Sequence, residues 1–321
     1  MLLKKIGVIT SGGDCPGMNA AIRAVVRVAQ AKGMEVLGIK NGYAGMISRD
    51  FVQLDSRSVG DIIQKGGTFL GTARCEEFKT LEGRQTALSN LQQKGVEGLV
   101  IIGGDGSLTG GKLLSELGMK VVGMPGTIDN DIWGTDYTIG FDTAVNTVLD
   151  SINKLRDTAS AHGRVMLVEV MGRKSGWIAL TAGLTGGAEI ILVPEIPYDL
   201  NDVCRQLRDS RAKGKQYSIV VVAEGVGSAI TIGEQIRQGT GLETRVSVLG
   251  HIQRGGAPTV TDRLLASRMS EMAVTLLQQG VTNVMVGIQC NQMVPVIIDD
   301  AIGRKKDVDA VLFRLAEILS Q

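Results

Sequence analysis

Short runs of apolar residues recur along the chain, and each is followed by a glycine-rich turn and then by a stretch of helical character. Most of the runs are continuous rather than alternating, which is typical of strands covered on both faces in a parallel sheet. Strands are therefore predicted at residues 6–9, 36–39, 99–102, 121–124, 165–170, 190–193, 219–223, 246–249 and 284–288. Helices are predicted between them, for example at residues 18–32, 107–117, 143–157, 202–213 and 262–279.

The alternation of strands and helices favours an α/β fold. At roughly 150 residues per domain, a length of 321 residues fits about two domains. A hydrophobic fraction of 44% and a charged fraction of 21% are ordinary for a soluble globular protein. A net charge of +1 and an aromatic fraction of 3% argue against nucleic-acid binding. No apolar run approaches the ~20 residues of a membrane span, and we expect no signal peptide before the first strand.

The cysteines and histidines form no recognisable metal or catalytic pattern. No two cysteines are close enough for a CxxC or zinc motif, and a disulfide framework is not indicated. We interpret them as free thiols in a reducing cytoplasm. The two histidines are isolated, so they support neither a Ser-His-Asp arrangement nor a metal site. These residues are Cys15, Cys75, Cys204, Cys290, His162 and His251.

Ligands of open parallel sheets bind beyond the carboxyl ends of the strands, and glycine-rich loops stand there in this chain. The strand at 99–102 leads into Gly103-Gly104-Asp105-Gly106-Ser107. Glycines let backbone N–H groups approach a phosphate, and Asp105 offers an oxygen ligand for Mg²⁺. A capped structural turn is the alternative. A P-loop is excluded by Leu113, which stands where Ser or Thr must be, and Thr109 replaces the third glycine of a dinucleotide fingerprint.

Acidic residues follow the strand at 121–124, in the run Thr127-Ile128-Asp129-Asn130-Asp131. In an extended chain, residues 127, 129 and 131 face the same side. One carboxylate can then accept a hydroxyl proton while the other holds position or charge. A solvated acidic turn is the alternative.

Cationic residues lie near the ends of other predicted strands. Arginine matches phosphate oxygens with two parallel hydrogen bonds. With His251 and Glu224 nearby, the set Arg164, Arg173, Arg245 and Arg254 indicates a phosphorylated substrate that also presents hydroxyls. A glycine-spaced loop at 66–74 ends in Arg74 and is either a flap over a transferring phosphoryl group or a mobile surface loop. Arg23 and Arg27, one helical turn apart, indicate either an anion site or a solvated face.

The chain resembles the bacterial ATP-dependent 6-phosphofructokinase family along nearly its whole length. The segments that carry the resemblance are residues 11–19, 103–107, 125–131, 171–173 and 250–256. The resemblance implies two doubly wound, three-layer α/β domains with largely parallel sheets and an active site in the cleft between them. It implies a larger, ATP-binding domain at 1–138 plus 251–301 and a smaller, sugar-phosphate-binding domain at 139–250 plus 302–321.

The resemblance also implies a cytoplasmic glycolytic kinase that transfers the γ-phosphoryl group of Mg-ATP to the 1-hydroxyl of fructose 6-phosphate. Its catalytic residues are expected to be Asp129 as the base, Thr127, Arg74, Arg173 and Gly13. ATP is expected at Gly13, Arg74, Cys75, Gly104, Asp105, Gly106 and Ser107, with Asp105 the ligand of Mg²⁺. The sugar phosphate is expected at Thr127, Ile128, Asp129, Asp131, Arg164, Met171, Gly172, Arg173, Glu224, Arg245, His251, Ile252, Gln253 and Arg254.

Assembly and regulation are implied by the same resemblance. In the family, Arg164 and Arg245 reach in from a neighbouring subunit, so a homotetramer is expected. An effector site for ADP or phosphoenolpyruvate is expected at Arg23, Arg27, Ser56, Arg57, Asp61, Arg156, Gly187, Ala188, Glu189, Arg211, Lys213 and Lys215. The chain departs from the family pattern at Ser56 and Arg57, where well-known relatives have Arg then Tyr. It also departs at Gln216, where many relatives have Lys.

Two alternatives to the ATP-dependent kinase remain. Pyrophosphate-dependent relatives typically carry Asp at the position of Gly106 and Lys at that of Gly126, so the two glycines favour ATP. A non-catalytic sugar-phosphate or nucleotide sensor on the same fold is the other alternative. Such a sensor has no need of both Asp105 and Asp129.

Overall fold

A computed structural model describes residues 3–320 of the chain. Its strands are β1 (Lys5–Thr10), β2 (Glu35–Ile39), β3 (Phe51–Leu54), β4 (Gly98–Gly103), β5 (Lys120–Thr127), β6 (Ile139–Gly140), β7 (Val165–Val170), β8 (Ile190–Leu192), β9 (Ser218–Ala223), β10 (Thr244–Val248), β11 (Val284–Gln289) and β12 (Gln292–Ile297). Its α-helices are α1 (Met18–Ala31), α2 (Gly42–Ser48), α3 (Leu81–Gln93), α4 (Asp105–Glu116), α5 (Phe141–His162), α6 (Trp177–Thr185), α7 (Leu200–Ala212), α8 (Ala229–Thr240), α9 (Val260–Gln278), α10 (Ile298–Gly303) and α11 (Ala310–Leu319). Short 3₁₀ helices lie at Glu77–Lys79 and Gly250–Arg254.

The predicted α/β fold with largely parallel sheets is confirmed. Every predicted strand overlaps an observed one, and the predicted helices overlap α1, α4, α5, α7 and α9. The sequence pattern missed β3, β6 and β12. Of these, β3 and β12 are antiparallel edge strands, and β6 is only two residues long. No helix within residues 3–320 is long and apolar enough to cross a bilayer.

One compact unit, called unit 1 here, comprises the chain up to Ile128, Ile132–Thr143 and Arg254–Lys305. Its strand order is β12-β11-β5-β4-β1-β2-β3, with β6 paired to the end of β5. All neighbours are parallel except the two edge pairs, β2 with β3 and β11 with β12. The carboxyl ends of β1, β4 and β5 are therefore adjacent, and the loops that follow them lie along one edge of the sheet.

The core of unit 1 arises because the central strands are apolar on both faces. Leu99 and Ile101 of β4 belong to a buried cluster with Leu91 of α3 and Leu108 of α4. The opposite face of the sheet is covered by α1 and α9. Burial of each such side chain contributes roughly 1.5–3 kcal/mol, which explains why continuous apolar runs, rather than alternating ones, form this sheet.

The second unit, called unit 2, comprises Asp129–Asp131, Ala144–Gln253 and the chain from Lys306 onward. Its sheet is wholly parallel in the order β10-β7-β9-β8. One face packs on α7 and α8, while α6 lies against β8 and β9 and is itself covered by α11. The predicted domain boundaries stay a prediction, and their outermost bounds, residues 1 and 321, lie outside the described residues.

Candidate active site

The 103–107 loop of unit 1 is shaped by contacts that only glycine tolerates. A Cβ atom at Gly103 would lie 2.4 Å from Oγ of Ser107 and 2.5 Å from the carbonyl oxygen of Ser11. Gly104 caps α4, because its carbonyl oxygen accepts the N–H groups of Ser107 and Leu108 at 2.9 and 3.0 Å. The helix thus begins at Asp105, two residues before the predicted start at 107, so Asp105 lies in the first helical turn rather than in the loop.

The start of α4 is open to solvent. Asp105 and Gly106 are exposed, and a Cβ atom built at Gly106 meets no atom within 4 Å. A helix N-terminus with accessible first-turn residues favours an anion such as phosphate. This opening fits the predicted binding of the nucleotide phosphates at 104–107.

The first glycine loop lies beside α4. The N–H group of Ser11 donates to the carbonyl of Ile102 at 3.0 Å, which ties the end of β1 to the end of β4. A Cβ atom at Gly12 would lie 3.2 Å from Oγ of Ser107. That buried hydroxyl has no hydrogen-bond partner among residues 3–320. An orphaned hydroxyl between two glycine loops is suited to a polar ligand, since an unpaired buried group otherwise costs about 1–3 kcal/mol.

The loop at 66–74 is tied to the same edge of unit 1. Oγ1 of Thr10 lies 2.7 Å from Oγ1 of Thr68 and donates to the carbonyl of Gly71 at 3.0 Å. The hydroxyl of Thr72 donates to the carbonyl of Gly12 at 2.7 Å. Beyond these anchors, Arg74 is exposed, and the partly buried side chain of Cys75 packs on the core of unit 1.

Arg254 lies against the first glycine loop. Its Nη2 atom is 3.5 Å from Oδ1 of Asp14, and its Nε donates to the carbonyl of Asp14 at 3.3 Å. A Cβ atom at Gly13 would lie 1.8 Å from the same Nη2. The structure therefore brings Arg254, predicted to bind the sugar phosphate, into contact with Gly13, predicted to bind ATP.

The acidic turn after β5 is not extended, so the predicted shared face of residues 127, 129 and 131 is wrong. Asn130 has the left-handed φ of 49° and is 1% exposed, which breaks the alternation of a strand. The carbonyl oxygen of Asp129 accepts a hydrogen bond from Oγ of Ser175 at 2.7 Å. Asp129 and Asp131 are half-buried, whereas the side chain of Ile128 is buried and offers only its backbone to a ligand.

Thr127 is paired with β6, and a buried carboxylate, that of Asp262, holds β6 in turn. The hydroxyl of Thr138 donates to the carbonyl of Thr127 at 2.7 Å. Asp262 accepts the N–H of Gly140 at 2.8 Å and the N–H and hydroxyl of Thr143 at 2.9 and 2.5 Å. Burial raises the pKa of Asp262 to about 6, although these hydrogen bonds oppose the rise.

In unit 2, several predicted substrate residues meet at the carboxyl ends of β7 and β9. The N–H of Met171 donates to Oε1 of Gln253 at 3.2 Å, and that of Gly172 to Oε1 of Glu224 at 3.4 Å. Nε of Arg173 is 3.7 Å from the same Glu224 oxygen, although its side chain is 84% exposed. Gln253 is fully buried and anchors the 3₁₀ helix on which the neighbouring residues His251 and Ile252 are exposed.

Arg164 and Arg245 lie at the opposite end of the unit 2 sheet. Arg164 precedes the six residues of β7, and Arg245 is near the start of β10, which runs parallel to β7. At about 3.3 Å per residue, the strand separates them from the loop at 171–173 by roughly 20 Å. Both pair with Glu243, at 2.9 and 2.7 Å, and the Arg164 hydrogen bond lowers the pKa of that carboxyl. One chain therefore does not bring all the predicted arginines together.

The predicted effector residues fall into two separate groups, the first in unit 1. Arg27 is exposed, and partial burial together with the charge of Arg27 lowers the pKa of Arg23. Oγ of Ser56 donates to the side chain of Gln30 on α1 at 2.5 Å. Its neighbour Arg57 is exposed, and Asp61 adopts the left-handed φ of 54°.

The second group lies in unit 2. The guanidinium of Arg156 donates to the carbonyl of Gly187 at 3.0 Å, and Nζ of Lys215 pairs with the buried carboxylate of Glu189 at 2.7 Å. Arg211 donates to the carbonyl of Gln216, and Lys213 is exposed. A cavity of about 250 Å³ between β8, α7 and α11 is lined in part by Ala188 and Glu189 and by none of the predicted catalytic residues.

The residues fit a magnesium ion that arrives with a nucleotide. Within residues 3–320, no group of three or more histidine, cysteine or acidic side chains is placed to hold a metal by itself. Mg²⁺ usually keeps several waters and is bound through one or two carboxylates together with substrate phosphates. The exposed carboxylate of Asp105, at the opening of α4, matches that requirement.

Sequence reasoning missed three residues that hold predicted site residues in place. Thr138 bonds to Thr127, Asp262 bonds to the strand paired with Thr127, and Ser175 bonds to Asp129. Each of the three is an ordinary polar residue in the sequence. No periodic or spacing signal marks them, because their partners are distant in the chain. Arg164 and Arg245 did carry a usable signal, since each stands before or at the start of a strand rather than after its end.

Two largely parallel α/β units with a glycine-rich helix N-terminus, and with arginine and carboxylate side chains at strand ends, are typical of an α/β enzyme that transfers phosphoryl groups. The phosphofructokinase family matches residues 5–277, and the chain belongs to this family.

Two relatives cover nearly the whole chain. The chain is 56% identical over 331 aligned positions to the ATP-dependent 6-phosphofructokinase of Halothermothrix orenii, covering 99% of this chain and 100% of that protein. It is 57% identical over 318 positions to the ATP-dependent 6-phosphofructokinase of Bacillus subtilis, with the same coverage.

Solved structures show the same fold. Phosphofructokinase of Pichia pastoris in the T-state superposes with a TM-score of 0.90 at 36% identity, covering 94% of this chain. This chain spans only 35% of the length of the Pichia chain. The pyrophosphate-dependent phosphofructokinase of Nitrosospira multiformis superposes with a TM-score of 0.89 at 21% identity, covering 99% of this chain and 92% of that chain, which bears on the fold alone.

Proposed function

We propose that the protein is an ATP-dependent 6-phosphofructokinase. It transfers the γ-phosphoryl group of Mg-ATP to the 1-hydroxyl of fructose 6-phosphate, and the products are fructose 1,6-bisphosphate and ADP. We further propose that it acts in glycolysis in the cytoplasm.

The open N-terminus of α4 carries most weight for ATP as the donor. A Cβ atom built at Gly106 has no protein atom within 4 Å. A nucleotide therefore has room at the position where pyrophosphate-dependent relatives typically carry Asp. A Cβ atom at Gly126, by contrast, would lie 3.0 Å from Cγ2 of Ile102 and 3.4 Å from the N atom of Gly103. The packing around Gly126 therefore resists the lysine that those relatives carry. Relatives at 56–57% identity are named as ATP-dependent enzymes, which agrees with this assignment.

The chemistry needs no covalent intermediate. Asp129 accepts the proton of the 1-hydroxyl as the sugar oxygen forms its bond to the γ-phosphorus, and the bond from that phosphorus to the β,γ-bridging oxygen breaks in line. Arg74 and Arg173 offset the charge that spreads over the transferred group. Magnesium, when bound at Asp105, neutralises the phosphate oxygens of the donor. The proton then passes from Asp129 to solvent, and ADP leaves.

We propose that the substrate site is shared between copies of the chain in a homotetramer. One chain supplies Met171, Gly172 and Glu224 from its carboxyl-end loops, together with His251 and Arg254. A neighbouring copy supplies Arg164 and Arg245, which one chain holds roughly 20 Å from its own 171–173 loop. Both arginines pair with Glu243, which holds them beside each other. We propose that the two guanidinium groups together bind the 6-phosphate.

We propose that the two groups of effector residues bind ADP or phosphoenolpyruvate. Cationic side chains in both groups are exposed and suit a phosphorylated ligand. Ser56 is already bonded to Gln30, and Arg57 beside it supplies the cation that Ser56 lacks. With Ser56 and Arg57 at these positions, the affinity for the effector is expected to differ from that of relatives with Arg at position 56.

The deciding experiment is a coupled assay with ATP, Mg²⁺ and fructose 6-phosphate on wild type and Asp129→Asn. Loss of the base should lower kcat by about 10²–10⁴-fold while substrate binding changes little. The matched control is Asp209→Asn, which changes an exposed carboxylate of α7 and should behave as wild type. Robust turnover with pyrophosphate in place of ATP would favour the pyrophosphate-dependent alternative. Ligand binding without turnover would favour the sensor.

A further inference from the structure

Asp129 is fixed through its backbone by a side chain that the reaction itself does not use. The buried hydroxyl of Ser175 donates to the carbonyl oxygen of Asp129 at 2.7 Å, and Ser175 is 2% exposed. The next residue, Asn130, is 1% exposed and left-handed, so the turn around Asp129 has little freedom to rearrange.

Ser175 is itself fixed by the turn that leads into α6. A Cβ atom at Gly172, whose φ is 129°, would lie 2.1 Å from the carbonyl oxygen of Ser175. The turn that carries Arg173, a residue assigned to charge stabilisation, therefore also sets the position of the Ser175 hydroxyl. The loop at 171–173 and the base Asp129 are therefore linked through the four residues 172–175 of one tight turn.

A half-buried carboxylate, that of Glu195, holds the other side of this turn. Oε1 of Glu195 accepts the N–H of Gly176 at 2.9 Å, and Oε2 is buried without a hydrogen-bond partner in the described part of the chain. A Cβ atom at Gly176 would lie 2.4 Å from Val193 and 2.8 Å from Oε2 of Glu195, so no larger residue fits. A carboxylate at this place is also favoured by the N-terminus of α6.

We propose that Ser175 and Glu195 are positioning residues for the base, and this rests on the proposed function. Ser175 sets the place of the Asp129 peptide, and Glu195 sets the place of Ser175 by holding Gly176. Neither residue touches the reacting atoms. Displacement of a catalytic group by about 1 Å costs up to about 100-fold in rate, so the loss should appear in kcat rather than in KM.

The test is a double-mutant cycle on the full-length enzyme. Ser175→Ala should lower kcat by about 10- to 100-fold while KM for both substrates stays within about threefold. In the Asp129→Asn background, the same change should lower the residual kcat by less than about twofold, because its effect passes through Asp129. Ser151→Ala, which removes a 2.9 Å hydroxyl-to-carbonyl bond inside α5, is the matched control and should leave kcat unchanged.

Glu195 is tested by two substitutions that separate its oxygen from its charge. Glu195→Gln keeps the acceptor for Gly176 and should retain most of kcat, whereas Glu195→Ala should lower kcat by about 3- to 10-fold. Equal losses in the two variants would overturn the role given to the Glu195 oxygen. This pair also supplies the test if Ser175→Ala does not fold.

The outcomes separate the inference from the proposed function. If the wild-type enzyme fails to phosphorylate fructose 6-phosphate with ATP, both the inference and the proposed function are overturned. An active wild type with unchanged kcat in Ser175→Ala overturns the inference alone. An equal loss in both backgrounds, accompanied by a lower Tm, would indicate a merely structural serine and also overturns it.

Discussion

The guanidinium of Arg254 occupies the space beside Gly13 that a side chain there would need, since a Cβ atom at residue 13 would lie 1.8 Å from Nη2 of Arg254. The nearest obstacle is therefore the far end of a flexible side chain rather than backbone. A side chain at residue 13 can be accommodated by moving Arg254, at the expense of its contacts with Asp14.

Gly13→Ala should consequently damage catalysis more than folding. We expect kcat/KM for fructose 6-phosphate to fall by about 10- to 100-fold, with Tm nearly unchanged. Gly303→Ala is the matched control, since a Cβ atom there meets nothing within 4 Å. Steady-state kinetics and a thermal melt check the prediction, and wild-type kinetics in Gly13→Ala would contradict it.

Gly106→Asp should weaken ATP binding without disturbing the fold. The added Cβ atom meets no protein atom, but the new carboxylate stands beside Asp105 at the opening for the donor phosphates. Repulsion between the new carboxylate and the donor phosphates is worth about 1–4 kcal/mol, so KM for ATP should rise by at least about 5-fold. Gly106→Ala, which adds only a methyl group, should change KM much less. Equal KM values in the two variants would argue against a phosphate site at this helix end.

A shared substrate site predicts recovery of activity between two inactive variants. Asp129→Asn lacks the base and Arg245→Ser lacks a clamp residue, so each alone should be nearly inactive. When the two are dissociated and reassembled together, one half of the sites receives a normal base and one half a normal clamp, and roughly one quarter of wild-type activity should return.

The control for this experiment is a mixture of Arg164→Ser and Arg245→Ser. One neighbouring chain supplies both arginines, so every site in that mixture lacks one of them and activity should not return. Recovery in the control, or none in the Asp129→Asn mixture, would contradict a site built from two copies in this way.

The buried carboxyl of Asp262 should make the free energy of unfolding depend on pH. Its pKa is raised to about 6 by burial, against about 3.9 in an unfolded chain. Between these values the unfolded state has lost the proton while the folded state keeps it, so the stability contributed by this group falls as pH rises from about 4 to 6. The total fall is on the order of 3 kcal/mol and is complete above the folded pKa.

Asp262→Asn should remove that component. Urea unfolding at pH 4.5 and pH 7 should show wild type losing stability relative to the variant as the pH is raised. Parallel changes in the two proteins would show that Asp262 does not titrate in this range. The variant is expected to be less stable at both pH values, because the Gly140 and Thr143 N–H groups bond to different oxygens of Asp262 and an amide has an oxygen in only one of those places.

The sequence predicted the parallel core well because burial on both faces leaves a continuous apolar run, as in β4 and β9. Half-exposed β12 was missed, since Pro295 and exposed residues interrupt its pattern. The glycine loops could be located from the sequence because their glycines directly follow the apolar runs of β1 and β4. The turn at Asp129 was misjudged, because the left-handed backbone of Asn130 depends on its buried surroundings rather than on its neighbours in sequence.

Both units are assembled from segments that are far apart in the chain, and this governs how the protein can be made. Unit 1 is incomplete until Lys305 has been synthesised, and unit 2 lacks α11 until Leu319 has been added. The part of the unit 1 sheet that α9 covers therefore stays exposed in a nascent chain until Gln278 has been added. A premature stop before α9 would therefore leave unit 1 without a helix that covers its sheet and unit 2 without α11.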